Sequence, residues 1–338
     1  MYWYEKENAT RTLVLSTRVR FARNLEGIPF PHRLSPEEGE KVFARVKEAL
    51  APYRPMAIPF GETEKIIKDT YVQTHLASRE LGEKGVGSGL ILDREGDVSV
   101  MVGEEDHIRL QVIRAGRDVD GALLKAKEWV ETLEKALPIA YRKGLGYLTA
   151  CPTTLGGAMR LSVMIHLPAL TASGAIPTLA KRLGDRGFTV RGFFGEGSRE
   201  GGSIYQISNQ SSREKTPEEV AELFSSLLSQ VEEWEKKSAE ALLERDRNGW
   251  EDRILRALGT LKYARKMNYD EFIGLYSLVR FGRECAVAGT EGTECLDRLM
   301  VELLPAPMIL QDRSLADAQA RDLKRSRIIR EQLSGKEK

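Results

Sequence analysis

Apolar and polar positions fall into two regimes along the chain. Up to about residue 210, short apolar runs alternate with polar residues, the mark of strands. Residues 13–21, Leu-Val-Leu-Ser-Thr-Arg-Val-Arg-Phe, predict a strand. Residues 89–92 and 98–102 predict two more, joined as a hairpin through Asp93-Arg94-Glu95-Gly96-Asp97. Residues 108–113, 160–167, 188–194 and 203–207 continue the series. Helices are interspersed. Ser35-Pro36-Glu37-Glu38 is a capping box with proline at the first helical position, opening a helix to about Leu50. Residues 118–137 carry Leu123, Leu124, Ala126, Val130, Leu133 and Leu137 at helical spacing, and a shorter helix is expected around residues 177–183. After Thr216-Pro217-Glu218-Glu219, a second capping signal, only helices follow, over 218–243, 250–267, 269–287, 293–304 and 315–332. Asp246-Arg247-Asn248-Gly249 breaks the first of these from the second. The pattern predicts an α+β fold, with an antiparallel sheet flanked by helices and then an all-helical C-terminal domain. The boundary is placed so that residues 1–240 form one domain and 241–338 the other.

Bulk properties narrow the choices. The 338 residues carry 51 basic and 50 acidic side chains, so no global field points to nucleic acid or a membrane surface. No run approaches the roughly 18 apolar residues of a membrane span. The opening Met1-Tyr2-Trp3-Tyr4-Glu5-Lys6-Glu7 lacks the apolar stretch of a cleavable signal. Cys151, Cys285 and Cys295 show neither metal-ligand spacing nor an even framework, so a reducing cytoplasm is expected and no metal ligands are assigned.

Candidate chemistry concentrates in Glu104-Glu105-Asp106-His107-Ile108-Arg109, between two predicted strands. Carboxylates beside an arginine suit proton abstraction next to an anion; the hexapeptide alone reads equally well as a charged hairpin turn. Arg18, Arg20, Arg109, Arg160 and Arg191 all fall at strand ends or on strand faces. Arg18 and Arg20, two apart, share a face. Guanidinium forks bind phosphate oxygens in bidentate fashion, so five such arginines point to a polyanion pocket rather than separate surface ion pairs. No P-loop and no dinucleotide fingerprint is present. Gly195-Glu196-Gly197-Ser198-Arg199-Glu200-Gly201-Gly202 lies between strands and reads as a hairpin loop, with Glu196 a candidate second carboxylate. Cys151-Pro152-Thr153-Thr154-Leu155-Gly156-Gly157 sets a cysteine in a small-residue loop nine residues before Arg160.

Six ordered motifs together resemble the phosphagen (guanidino) kinases. They are Ser16-Thr17-Arg18-Val19-Arg20, Glu104 to Arg109, Cys151-Pro152-Thr153, Arg160-Leu161-Ser162-Val163, Arg191-Gly192-Phe193-Phe194-Gly195-Glu196 and Ile207-Ser208-Asn209-Gln210. The resemblance spans roughly residues 12–240. It is strongest to the bacterial protein-arginine kinases, which lack the small helical N-terminal domain of other members and carry a helical C-terminal domain. It implies that Ser16, Thr17, Arg18, Val19, Arg20, His75, Arg109, Arg160, Leu161, Ser162, Val163, Met164, Arg191, Gly192, Phe193, Phe194, Gly195 and Glu196 hold ATP. It further implies that Glu105 and Glu196 grip the substrate guanidinium while Cys151 assists without forming a covalent intermediate. Arg321-Asp322-Leu323-Lys324-Arg325-Ser326 resembles the phosphoarginine-binding motif Arg-Asp-x-x-Arg-Ala, with Ser326 in place of alanine, which implies Arg321, Asp322 and Arg325 as binding residues. The implied cofactors are ATP and Mg²⁺ carried on the nucleotide phosphates. The implied partners are proteins with accessible arginines, an activator protein, Clp-type protease machinery and a second copy in a homodimer.

The chain departs from the family pattern at Gly103 and Thr154, both usually asparagine, and at Gly157-Ala158-Met159 in place of Thr-Gly-Leu. The lost asparagines would organise loops through side-chain hydrogen bonds. The expected activity is ATP-dependent phosphorylation of protein arginines, allosterically regulated and marking targets for degradation or adjusting a stress response. The alternatives are a kinase of a free guanidino metabolite and a weakly active phosphoarginine-binding adaptor.

Overall fold

A computed structural model describes residues 3–5, 12–192, 201–213 and 215–334. In chain order these form β1 (Val14–Arg23), α1 (Pro36–Ala49), β2 (Met56–Pro59), α2 (Lys65–Gln73), α3 (Arg79–Gly82), β3 (Gly89–Leu92), β4 (Val98–Val102), β5 (Ile108–Ala115), α4 (Val119–Ala136), β6 (Tyr141–Arg142), β7 (Gly146–Tyr147), β8 (Met159–His166), α5 (Pro168–Ala172), α6 (Ile176–Gly184), β9 (Phe188–Gly192), β10 (Ile204–Asn209), α7 (Pro217–Tyr263), α8 (Tyr269–Glu284), α9 (Cys295–Glu302), α10 (Pro305–Gln311) and α11 (Ala318–Ser334). The chain divides into two compact units. Unit 1 holds Met1–Glu7, Ser16–Val163 and Ser208–Ser226; unit 2 holds Asn8–Leu15, Met164–Ile207 and Leu227–Lys338.

Unit 1 is built on strands in the order β2-β3-β4-β5-β1-β8-β10, to which β8 contributes its first half and β10 its last residues. The β1–β5, β2–β3, β3–β4 and β4–β5 pairs are antiparallel. β3 and β4 are buried throughout; β3 reads as a short continuous apolar run, and Ser99 interrupts that of β4. The capping box forms as the sequence predicts: Ser35 Oγ accepts from the Glu38 N–H, and Glu38 accepts from the Ser35 N–H at 2.8 Å. α4 is capped by Asp118, whose carboxylate accepts from the Gly121 N–H at 3.0 Å. One residue of its expected apolar face is corrected. Leu124 is 73 % exposed, and Trp129 takes the inward place, stacked on Tyr53 with ring centroids 4.1 Å apart. Positions 122, 126, 129, 130 and 133 hold the inward stripe, to which 124 does not belong. A core of Phe60, Leu76, Leu81, Leu90, Leu92 and Met101 lies under the α2–α3 connection.

Unit 2 contains the end of β8, the start of β10 and β9, with helices α5, α6, most of α7 and α8 to α11. The expected break after residue 243 falls at Asp246, which has non-helical φ/ψ within α7 and accepts from the Gly249 N–H at 3.0 Å, restarting the helix. That helix ends at Tyr263, short of the expected 267, and α10 was not foreseen. Trp250, Ile254, Phe281, Val287, Leu242 and Ala169 form its core cluster.

Buried charges in unit 2 are matched. Arg280 Nε meets Glu284 at 2.9 Å, its Nη1 meets Asp297 at 2.8 Å, and its Nη2 donates to the Thr12 carbonyl at 2.7 Å. Arg283 also binds Asp297, at 2.7 Å, and the Tyr276 hydroxyl donates to it at 2.9 Å. His166, fully buried, sits 2.9 Å from Ser277 Oγ and 3.4 Å from Glu284. Glu235 accepts the N–H groups of Ala169 (2.6 Å) and Leu170 (2.9 Å) at the start of α5.

Candidate active site

Strand register gathers the arginines of unit 1. In the β1–β5 ladder Arg18 stands opposite Ile113, Arg20 opposite Gln111 and Ala22 opposite Arg109. Residues directly opposite share a face, so Arg18, Arg20 and Arg109 lie on one side of the sheet. Arg160 on β8 belongs to the same group, and Arg18 Nε donates to Ser162 Oγ at 3.3 Å. Alternation turns Thr17, Val19, Leu161 and Val163 to the other face, where all four are buried. Thr17 Oγ1 donates to the Gly116 carbonyl (2.7 Å) and accepts from the Asp118 N–H (3.0 Å), fixing the turn into α4. Ser16 is likewise buried.

These cations oppose one another. Burial, then Arg109 and Arg160, push Arg18 down to about 10. Arg20 is lowered well below the usual arginine range by burial and by Arg18, Arg109 and Arg160, with Glu104 pulling the other way. Among the described residues, Arg20 Nε is buried without a hydrogen-bond partner. A face of this kind gains by accepting a polyanion, which would satisfy donors and cancel repulsion together. Arg191, exposed, and Gly192 lie on β9 in unit 2, as does Met164 on β8. Phe193, Phe194, Gly195 and Glu196 lie outside the described residues.

The acidic loop is held by its own members. Glu104 is buried; its Oε1 accepts from Ser78 Oγ and from Arg109 Nη1, the latter at 2.5 Å. Arg109 Nη2 reaches Glu105 at 3.3 Å. Glu105 is nearly half exposed, and burial of the remainder pushes its carboxyl up against the pull of Arg109. Asp106 faces inward, where Oδ1 accepts from Asn24 Nδ2 (2.6 Å) and from the Ala150 N–H (2.8 Å). It therefore ties the Glu105 loop to the loop that carries Cys151. His107 accepts from the Leu25 N–H on Nδ1 (3.0 Å) and donates from Nε2 to the Pro29 carbonyl (2.7 Å). Those two bonds require the neutral Nε2–H tautomer, consistent with a ring whose pKa burial lowers. Glu104 and His107 are thus structural supports for Glu105 and Arg109.

Cys151 is partly buried, with Sγ 2.9 Å from Thr153 Oγ1. The Thr154 hydroxyl lies within hydrogen-bond reach of the Cys151 carbonyl (3.0 Å), to which it donates, and of Thr149 Oγ1 (3.2 Å), so it braces this loop from within. Gly103 has a steric reason. Its φ is 75°, and a Cβ there would come 2.9 Å from the Gly87 carbonyl oxygen. Gly87 in turn meets Gly39, where a Cβ would lie 2.6 Å from that same oxygen. A cleft of about 180 Å³ borders this glycine cluster and is lined by Pro36, Val42, Lys84 and Val86; none of the four arginines lines it.

His75 follows α2 with φ 63°. Its carbonyl accepts from Gln111 Nε2 at 2.8 Å, and Trp3 Nε1 donates to the neighbouring Thr74 carbonyl at 3.0 Å. Burial, aided by Arg18 and Arg79, pushes the imidazole down to about 3, so it is neutral at ordinary pH. Sequence reasoning missed Asn24, Ser78, Gln111 and Trp3. Each acts through a partner distant in sequence, and nothing local marks it.

In unit 2, Arg325 is buried. It donates to the carbonyls of Leu303 (3.2 Å) and Met267 (2.9 Å) and pairs with Asp322 at 2.8 Å. Arg321 donates to the carbonyls of Leu315 (2.8 Å) and Ala316 (2.6 Å). Ser326 Oγ donates to the Arg265 carbonyl at 2.6 Å, a bond that alanine could not make.

Comparison with known proteins covers nearly all of the chain. Residues 39–238 match the family model of the ATP:guanido phosphotransferase C-terminal catalytic domain, and residues 247–338 that of the protein-arginine kinase McsB C-terminal domain. The protein-arginine kinase of Clostridium novyi (strain NT) is 34 % identical, covering 98 % of each chain. That of Clostridium kluyveri (strain ATCC 8527) is 36 % identical, covering 97 % of this chain and 96 % of its own. Among solved structures, lombricine kinase aligns with a TM-score of 0.57 at 21 % identity over 66 % of each chain. The duplicated taurocyamine kinase from Schistosoma mansoni with bound transition state analog components aligns with a TM-score of 0.60 at 22 % identity, over 77 % of this chain and 38 % of that one. These two likenesses establish the fold.

Proposed function

Because the chain belongs to the protein-arginine kinases, within the ATP:guanido phosphotransferase family, we propose that it transfers the γ-phosphoryl group of ATP to arginine side chains of proteins. The observation that carries this reading is the face of mutually repelling arginines, Arg18, Arg20, Arg109 and Arg160, on the sheet whose β4–β5 loop presents Glu105. In this reading the four arginines, with Arg191, bind the nucleotide phosphates. Mg²⁺ fits as a passenger on those phosphates, supplying charge neutralisation when bound; among the described residues no group of three or more acidic, histidine or cysteine side chains gathers to hold an ion.

Glu105 orients the acceptor guanidinium and takes a proton from its terminal nitrogen. That nitrogen attacks the γ-phosphorus, the bond to the bridging oxygen breaks, and ADP leaves. A carboxyl raised by burial is better matched to this base role than one at the ordinary value. Glu196 is the proposed second clamp. In this reading Cys151 lies beside the guanidinium, which the tie from Asp106 to the neighbouring Ala150 N–H supports. His75 would meet the nucleotide as a neutral group.

Residues 1–240 are read as the catalytic domain and 241–338 as the helical domain, a division supported by family models ending at 238 and starting at 247. In α11 the buried Arg325 braces Asp322, which makes Arg321 and Asp322 the accessible members of a phosphoarginine site. Family membership supports a cytoplasmic, homodimeric enzyme with an activator and Clp-type protease machinery downstream.

The test is incubation with Mg-ATP and an arginine-rich unfolded protein, followed by detection of acid-labile phosphoarginine. The wild type should label the protein, and Glu105→Gln should lower the rate about 10²–10⁴-fold. Equal labelling by the two enzymes would sink the reading.

A further inference from the structure

The β6–β7 hairpin has no part in the chemistry above, yet it is joined to the catalytic loops. Tyr141 pairs with Tyr147 and Arg142 with Gly146, leaving Lys143-Gly144-Leu145 as the tip. Beyond it the Tyr147 N–H donates to the Gly156 carbonyl at 2.9 Å, so the hairpin pairs with the far end of the Cys151 loop. That junction is backbone on backbone: a Cβ on Gly146 would lie 2.5 Å from the Gly156 oxygen. Asn24 Nδ2 donates both to the Leu148 carbonyl (2.9 Å) and to Asp106 (2.6 Å), so one side chain braces the hairpin exit and the acidic loop.

A hairpin this short is not stable unaided. Its base is pinned by Arg23, whose guanidinium lies 3.5 Å from the Tyr147 ring centroid and whose Nε meets Glu134 at 2.7 Å. Against that rigid base, Tyr141 is 61 % exposed, and Arg142 and Lys143 are exposed too. Among the described residues neither Arg142 nor Lys143 forms an ion pair. An exposed tyrosine flanked by cations is the composition of a contact surface rather than of a solvated turn.

We propose that this hairpin is a docking ledge for the polypeptide carrying the acceptor arginine, and that Arg142 and Lys143 favour acidic residues flanking that arginine. The inference rests on the kinase reading above, since it assumes that the guanidinium enters between Glu105 and Cys151. A polypeptide acceptor carries flanking residues that the ledge can hold; a free guanidino compound has none. Tyr141 supplies flat apolar contact, and the two cations attract carboxylates while repelling basic flanks.

The test uses three peptides of equal length, each with one arginine, flanked by glutamates, by lysines or by serines. Phosphoarginine formation from Mg-ATP is measured at low salt for the wild type and for the double variant Arg142→Glu, Lys143→Glu. The readout is the ratio of kcat/KM for acidic over basic flanks, so a general loss of activity cancels. The wild type should prefer the acidic peptide about 3–10-fold, as two exposed charge pairs allow, and the double variant should reverse that order. The same ratio in both enzymes would overturn the ledge while leaving the kinase reading intact. No phosphoarginine on any of the three peptides with the wild type would overturn the kinase reading and the ledge with it.

Discussion

Two regions of this protein use the same ingredients to opposite ends. In unit 2, Arg280 and Arg283 share Asp297, Arg280 also holds Glu284, and a tyrosine completes the set. Each charged member of this set meets an opposite charge within 3 Å, and the arginines hold Asp297 below the usual carboxylate range even though burial alone would raise it. In unit 1, Arg18, Arg20, Arg109 and Arg160 crowd one face, and Glu104 and Glu105 beside it are both engaged by Arg109. The first arrangement spends its charges on the fold. The second leaves repulsion unresolved, and resolving it is what a ligand is for. Arginine burial alone does not tell structure from function; the local charge balance does.

The sharpest way to break this contrast is Arg280→Met. It removes the arginine that holds Glu284 and one of the two that hold Asp297, and should lower unfolding stability by about 3–5 kcal/mol, read by chemical denaturation. A loss under about 1 kcal/mol would mean the network is ornamental. Glu235 offers an intermediate case, a buried acid held by two backbone N–H groups in place of a cation. Burial, more than those bonds can offset, pushes it up to about 7. The folded state therefore binds the proton more tightly than the unfolded chain, where a glutamate titrates near 4.5. Its contribution is most favourable below about pH 4.5 and is lost as pH rises to about 7. Glu235→Gln should remove about 1–3 kcal/mol of that slope from the stability–pH curve, so subtracting the two curves should leave a difference confined to this window. A flat difference would show that the carboxylate is ionised throughout.

The smallest effect carries the opposite sign. Arg20→Met relieves repulsion and should stabilise the ligand-free protein by about 1 kcal/mol while abolishing the rise in melting temperature that Mg-ATP gives the wild type. If Arg20→Met lowered stability as Arg280→Met does, the two regions would not differ in kind.

Much of the fold was legible because its signals are local. The capping box at Ser35, the Asp246 break and the alternating runs of β4, β5 and β8 each announce themselves within a few residues. The arginine face was half legible. Spacing put Arg18 and Arg20 together, whereas Arg109 and Arg160 joined them only through strand register. What stayed hidden was the bracing. Asn24 is 82 residues from Asp106, Gln111 is 36 from His75, and Ser78 is 26 from Glu104. A polar residue that acts at such a separation leaves no periodic trace. Leu124 misled because it directly follows Leu123 of the inward stripe, while the step of about 100° to the next residue turns it to the solvent face, where a single exposed leucine is tolerated.

The stacked glycines at 39, 87 and 103 close off mutational routes. A contact made of main chain alone has no rotamer to adjust and no methylene to trim. Restoring asparagine at 103 would set its Cβ 2.9 Å from the Gly87 oxygen, and an alanine at 39 would meet that same oxygen at 2.6 Å. Neither position can drift singly; a change at one has to wait for the strand entry at 87 to move. The loop that presents Glu105 is thereby anchored on main chain, where a single added methyl would have to move a neighbouring strand entry.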